Sequence, residues 1–210
     1  KAENFYVYNP YGVPCLFNNA GILRRSAGNT AVWFDGVINN TGAVEANAGV
    51  WQFRTGGSAG GSWTVANGAT LQFMGGTFEN DASTTFVGAG RYLVAGGALR
   101  FSANQAFNPW LELGASGVIE GAGTLTVNGR FDWTGGTLQG VGAKTTLAAS
   151  SAITIGGGAF IQRTLDNHTT ATFNGAVGHF QVGLNAVWNN LLGAVFDVKA
   201  ENFYVYLTAH

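Results

Sequence analysis

Trp51-Gln52-Phe53-Arg54-Thr55-Gly56-Gly57 returns with the same grammar as Leu71-Gln72-Phe73-Met74-Gly75-Gly76-Thr77-Phe78 and again as Tyr92-Leu93-Val94-Ala95-Gly96-Gly97-Ala98-Leu99. Each copy alternates apolar residues with small or polar ones, steps across glycine and resumes with an apolar residue. The pattern continues through Leu111-Glu112-Leu113-Gly114, Phe131-Asp132-Trp133-Thr134-Gly135-Gly136-Thr137-Leu138 and Ile153-Thr154-Ile155-Gly156-Gly157-Gly158-Ala159-Phe160. Glycine steps at Gly56, Gly75, Gly96, Gly114, Gly135 and Gly157 set a period near 20 residues. A second marker keeps the same period. Phe17-Asn18-Asn19-Ala20-Gly21 and Ile38-Asn39-Asn40-Thr41-Gly42 lie 21 apart, and Trp188-Asn189-Asn190 repeats the aromatic-Asn-Asn signature.

Alternation with period two sends successive side chains to opposite faces, so runs such as Thr124-Leu125-Thr126-Val127 and Thr170-Ala171-Thr172-Phe173 read as short strands. Glycine and asparagine between the runs supply the backbone angles of sharp corners. No glycine-free window of a dozen residues carries a helical apolar stripe, which argues against helices of any length. A propeller blade needs about 40 residues, and a sandwich shows no super-period, whereas roughly 20 residues with two or three strands match one coil of a solenoid. The expected fold is all-β, a right-handed parallel β-helix (β-solenoid) of about ten coils spanning residues 1–210 as a single domain. At a ~4.8 Å rise per coil the rod would be on the order of 50 Å long. The expected inward stack is Val44, Phe53, Val65, Leu71, Phe73, Leu93, Leu99, Leu111, Leu113, Leu125, Val127, Phe131, Trp133, Ile153, Ile155, Phe173, Phe180, Val182 and Val187.

Composition narrows the function. Of 210 residues 33 are glycine, against a usual share of ~7%, and only 10% are charged, against ~25%. With 46% hydrophobic and 13% aromatic residues the chain has ample apolar surface to bury, so disorder is excluded. A net charge of −1, with no basic cluster beyond Arg24-Arg25, gives phosphate backbones and anionic lipid heads no concentrated field to meet. Nucleic acid is therefore not an expected partner. No apolar run approaches the ~18 residues of a membrane span. The chain starts at Lys1 without initiator methionine or leader and reads as a mature protein or an excised part. Cys15 is the sole cysteine and has no neighbouring base or CxxC partner.

Asn39-Asn40-Thr41-Gly42-Ala43-Val44-Glu45-Ala46, Gly121-Ala122-Gly123-Thr124-Leu125-Thr126-Val127-Asn128-Gly129 and Phe17-Asn18-Asn19-Ala20-Gly21-Ile22-Leu23-Arg24-Arg25-Ser26-Ala27-Gly28 share a phrasing that recurs along most of the chain. It resembles the repeats of large bacterial cell-surface proteins of the β-strand-repeat, adhesin-like kind. That resemblance implies an exported, extracellular or cell-surface solenoid rod with a structural or adhesive role and no catalytic residues to carry over. The sequence departs from it at Leu191-Leu192 and in the aromatic Asn4-Phe5-Tyr6-Val7-Tyr8.

Parallel β-helices also house polysaccharide-cleaving enzymes, whose chemistry needs clustered carboxylates or calcium with a basic residue. Here Glu79 and Asp81 form the nearest pair, and they read as a solvated turn rather than a cation site. His168, His179 and His210 lack metal-ligand spacing, and Ser62 and Ser116 lack a nucleophile's context. Thr124-x-Thr126 and Thr170-x-Thr172 do not recur at one register, so no threonine ladder forms. Asn39-Asn40-Thr41 and Asn167-His168-Thr169 satisfy the glycosylation sequon but sit in the corner grammar, where the amide bonds backbone. No enzyme activity, cofactor or metal is expected. Outward members of Trp33, Trp51, Trp63, Trp110 and Tyr92 would leave surface glycans as possible partners of an adhesion or carbohydrate-binding module.

The remaining signal is at the ends. Lys1-Ala2-Glu3-Asn4-Phe5-Tyr6-Val7-Tyr8 returns unchanged at Lys199-Ala200-Glu201-Asn202-Phe203-Tyr204-Val205-Tyr206, and diverges where Leu207-Thr208-Ala209-His210 replaces Asn9-Pro10-Tyr11-Gly12. Either the chain is one unit of a longer tandem array, or the same aromatic strand closes both ends so that copies self-associate end to end. Phe5, Tyr6, Val7, Tyr8, Phe203, Tyr204, Val205 and Tyr206 are thus the candidate assembly residues, on a β-prone run without internal charge or proline to blunt an edge.

Overall fold

The computed structural model describes residues 7, 13, 15–114, 116–175, 178–183 and 185–208, which form 26 strands and no helix. Every strand pairing is parallel, and paired residues are about one coil apart, as in Leu16 with Val37, Thr77 with Ala98 and Phe160 with Gln181. The result is a parallel β-solenoid of about 9 turns with roughly 21 residues per turn, one turn fewer than the periodicity predicts. The turns are slightly longer than the sequence period, and the longest lie near the end, where Gly178 pairs with Phe203.

Each turn contributes to three faces. The first face runs from Leu16–Asn19 through Val37–Asn40, Thr77–Asn80 and Ala98–Phe101 to the last strand, Phe203–Thr208. The second begins with Ile22–Arg25, Ala43–Ala46, Ser62–Val65 and Thr85–Val87. It resumes with Gln105–Phe107 and Leu125–Val127, whose ladder passes into the later halves of the long strands Thr137–Leu147 and Phe160–Asn167. The third is a nine-stranded sheet from Ala31–Phe34 to Val195–Val198.

Strand after strand shows buried positions alternating with outward ones, and the buried set forms a single column-built core. Phe34, Phe53, Phe73 and Phe78 meet at ring-centroid distances of 4.7–6.4 Å, mostly tilted or edge-on, the arrangement that suits aromatic quadrupoles. Of the expected inward residues two, Leu93 and Val187, are corrected. Leu93 points outward between buried Tyr92 and Val94, because Tyr92 pairs with inward Leu71 and Leu111. Val187 is exposed, and Trp188 packs on the core in its place, while Val182 is only partly buried. The remaining members of the expected set are buried.

Corners are amide-lined. Asn19, Asn40, Asn80 and Asn167 lie buried, and Asn19 Nδ2 donates to Asn40 Oδ1 at 2.7 Å while Asn167 Nδ2 donates to Asn190 Oδ1 at 2.8 Å. Asn40 Nδ2 donates onward to Gly60 O at 2.5 Å. These bonds satisfy backbone carbonyls that the turns leave unpaired, and they engage both sequons. Asn167 is buried, and Asn39 Nδ2 donates to Asn18 Oδ1 at 3.1 Å.

Two arginines break the apolar rule of the interior. Arg25 donates to the carbonyls of Thr30 at 2.6 Å and of Val50, and Arg163 donates to Lys144 O at 2.7 Å, Gly123 O at 3.0 Å and Gln139 O at 3.2 Å. Arg163 is 2% exposed, and burial pulls its guanidinium down to about 10. It sits where the ladder skips from Gln139–Gln162 to Lys144–Thr164, so one long side chain fills the gap opened by the four-residue bulge.

Backbone closeness fixes one glycine. Gly57 has φ +136°, and a Cβ there would run into the Ile38 carbonyl of the turn below. Gly57→Ala is expected to lower stability by about 2–4 kcal/mol in urea unfolding, from strain plus the clash. Arg163→Ala and Arg163→Lys are both expected to lower it by about 2–4 kcal/mol, since alanine has no donor and a lysine's single nitrogen cannot reach carbonyls that Arg163 serves from two separate nitrogens, and each orphaned carbonyl costs ~1–3 kcal/mol. Arg163→Lys unfolding like the parent would show that the fork geometry does not matter.

Candidate assembly surface

The outer face is built as ladders of complementary side chains. Along the first face the outward column runs Asn18, Asn39, Ser58, Glu79, Arg100, Glu120, Gln139 and Gln162, one residue per rung. Arg100 meets Glu79 at 2.7 Å on one side and Glu120 at 2.6 Å on the other, and Gln139 Nε2 donates to Glu120 Oε2 at 2.7 Å. Further cross-rung ion pairs join Arg24 to Glu45 at 2.5 Å, Arg91 to Glu112 at 3.0 Å and Lys144 to Asp166 at 2.9 Å. Stacking in register would set like charges ~4.8 Å apart, so opposite charges on successive rungs are a requirement of the fold as much as a source of stability.

The residues singled out for chemistry are spent in this way. Glu79 pairs with Arg100, and Asp81 accepts from Ser83 N at 2.8 Å and Ser83 Oγ at 2.6 Å, which holds its carboxyl below the usual range. Among the described residues no three His, Cys, Asp or Glu side chains gather to hold a metal ion. Of the candidate stacking aromatics, Trp51, Trp63 and Tyr92 are buried in the core, so they are not among the outward members that could stack on a sugar. The Tyr92 hydroxyl lies 2.6 Å from Trp63 O, and burial pushes its phenol above the ordinary value. Trp110 is outward, but Arg91 and Arg130 approach its ring at 5.5 and 4.1 Å, and its Nε1 donates to Asp132 Oδ2 at 2.8 Å. Its ring belongs to a guanidinium–indole–guanidinium ladder across three rungs.

Val7 and Val205, matching positions of the two copies of the octapeptide, lie in different places. Phe5, Tyr6 and Tyr8 fall outside the described residues. Val7 bridges in parallel to Phe34, on the third face, with Asp35 N donating to Val7 O at 2.9 Å. Phe203, Tyr204, Val205 and Tyr206 belong instead to the last strand of the first face, paired from Gly178 with Phe203 to Gly183 with Thr208. Identical sequence thus occupies different phases of the coil, because the intervening offset is not a whole number of turns.

The last strand leaves its far edge unpaired among the described residues. Its parity continues that of the strand beneath, where Phe180 is buried, so Phe203, Val205 and Leu207 continue the inward column. Phe203 packs on Phe173 at 4.8 Å and on Phe196 at 6.0 Å. Val205 and Leu207 are 55% and 84% exposed. Tyr204 and Tyr206 point outward around His179, with Tyr206 edge-on to it at 4.7 Å. At the opposite end the strand Leu16–Asn19 is likewise an edge among the described residues, with inward Phe17 37% exposed and packed edge-on against Phe34 at 5.5 Å. Leu16 and Ile22 beside it are exposed. The Phe203–Tyr206 segment singled out in the sequence lies on this last strand; Leu207 and Phe17 are not singled out there, because their signal is inward parity without a covering rung among the described residues, and neither is Leu16.

Compared with known proteins, the chain matches no family model, no curated protein and no solved structure. The geometry defines it as a parallel β-solenoid with ladder-paired walls and, among the described residues, apolar residues on its first and last strands.

The ladders carry a pH dependence with a definite sign. The Arg24 guanidinium holds the Glu45 carboxyl below its ordinary value, and hydrogen bonds from Asn189 and Lys144 do the same to Asp166. A depressed folded pKa means the unfolded chain binds protons first as pH falls, so this stabilisation is complete above the unfolded carboxyl range, about pH 4, and is lost as pH drops through the folded values. The thermal midpoint is expected to fall between pH 5 and about pH 2.5, and Asp166→Asn to make that fall shallower. An unchanged slope in the variant would refute the assignment.

Proposed function

We propose that this chain is a structural rod of an extracellular surface protein, extended by end-to-end stacking of units along the solenoid axis. One observation carries the reading: the terminal rung places Val205 and Leu207 on the inward column, yet leaves both open on an unpaired parallel edge. Continuing the column across a junction sets Leu207 over Phe17 and Tyr206 over Leu16, which keeps inward residues inward and outward residues outward. Parallel strands have direction, so such a junction is head to tail, and a heterologous contact that does not close propagates into a fibre. The same junction serves successive units whether or not a peptide bond joins them. Engagement of Glu79 and Asp81 within the structure supports a structural rather than a catalytic role. The repeated phrases shared with bacterial surface repeats support the extracellular setting.

Sedimentation velocity and negative-stain electron microscopy of the 210-residue protein test this directly. Rods whose length grows with concentration are expected, and Leu207→Lys or Val205→Lys should return single units about 43 Å long at a ~4.8 Å rise per turn, with an unchanged circular-dichroism spectrum. A parent protein that stays a monomer at millimolar concentration would sink the reading.

A further inference from the structure

The four-residue bulge at residues 140–143 does more than interrupt a ladder. It stands beside four consecutive rungs of the outward polar column, Arg100, Glu120, Gln139 and Gln162, and turns that stretch into an axial groove of about 510 Å³. Gly140 and Gly142 take positive φ to make the wall, and Val141 at its crest is fully exposed. Asn185, the one described non-glycine residue with positive φ, also lines the groove. A volume of this size falls in the ~300–1,000 Å³ range of small-molecule sites.

The chemistry of the lining selects a ligand class. Arg100 is bracketed by Glu79 and Glu120, so the groove presents no net cation to an anion and no free carboxylate cluster to a metal. Backbone groups of the floor are consumed in the parallel ladders above and below, which leaves no edge for a peptide strand to pair with. What remains are side-chain groups at ~4.8 Å intervals along the axis: a guanidinium, a carboxylate and two amides that can each donate and accept. Gln162 and Asn185 make no side-chain hydrogen bond among the described residues, whereas most polar groups of the column are engaged rung to rung.

We propose that this groove binds an uncharged, linear saccharide lying along the solenoid axis. Its hydroxyls would meet the amides of Gln139, Gln162 and Asn185 and the free lone pairs of Glu120, while the crest at Val141 covers the apolar face of one ring. This site lies on the outer wall, next to the last rung at Asn185, and its polar chemistry uses none of the residues invoked for axial assembly. It also differs from the aromatic platforms that the sequence suggests, which the fold buries or covers.

The test is isothermal titration of the 210-residue protein with cellohexaose, maltohexaose and chitohexaose, with hexagalacturonate as the charged control. At least one neutral chain is expected to bind, in preference to the acidic one. Gln162→Ala and Asn185→Gly should each weaken it about tenfold, the equivalent of one lost hydrogen bond. Asn185→Gly retains the backbone angle, so it reads the amide alone even if Gln162→Ala perturbs folding. Leu207→Lys should leave binding unchanged. The proposal falls if none of the three neutral chains binds, if hexagalacturonate binds best, or if both variants bind like the parent.

Discussion

Rung-on-rung parallel stacking is the constraint on which everything else in this protein depends. Once the chain closes a turn, each residue lies ~4.8 Å from its counterpart in the turns above and below, so every position must tolerate a neighbour at that distance twice. Apolar residues meet this by forming columns, as Leu71, Tyr92, Leu111 and Phe131 do. Amides meet it by donating to one another, and charges meet it only by alternating in sign, as in Glu79, Arg100 and Glu120. Glycine is forced where the backbone of one turn runs into the next, as at Gly57.

The same constraint makes departures informative. Inserting residues 140–143 opens a gap within the core and a wall outside it, and the two consequences are separate. Inside, Arg163 satisfies three carbonyls across successive turns while carrying a charge that has no carboxylate partner among the described residues. Such a cation is tolerated because carbonyl oxygens supply the negative ends of its hydrogen bonds, and its lowered affinity for the proton records what desolvation costs. Outside, the bulge gives an otherwise smooth face its concavity.

A solenoid has no closure of its own, so its ends carry the exposed edges that barrels abolish. Val205 and Leu207 on the last described strand and Phe17 on the first are inward-column residues that no further rung covers among the described residues. The ladders along the sides, by contrast, consume the polar groups that a sticky surface would need.

Much of this was legible in sequence because the governing signals are local. Period-two alternation marks strands, the glycine step marks the turn, and their recurrence near 20 residues marks the coil, so the all-β solenoid and most of its core follow from the chain alone. Parity is where sequence stops. Alternation shows that Leu93 and Tyr92 face opposite ways, but closure of the turn over Leu71 decided that Tyr92 goes in, and a slip of one residue exchanges every side chain between faces. Trp110 resembles Trp51 and Trp63 in composition of its surroundings, and only its outward rung between Arg91 and Arg130 sets its role. Val7 and Val205, the same position of the repeated octapeptide, landed on different faces for the same reason, since phase within the coil is a sum over all intervening residues. The sequence by itself determined the repeat and the chemistry of each rung. Which residues share a column, where Arg163 is buried and where the groove opens were decided by tertiary closure, because stacking couples residues about 20 positions apart that no local pattern connects.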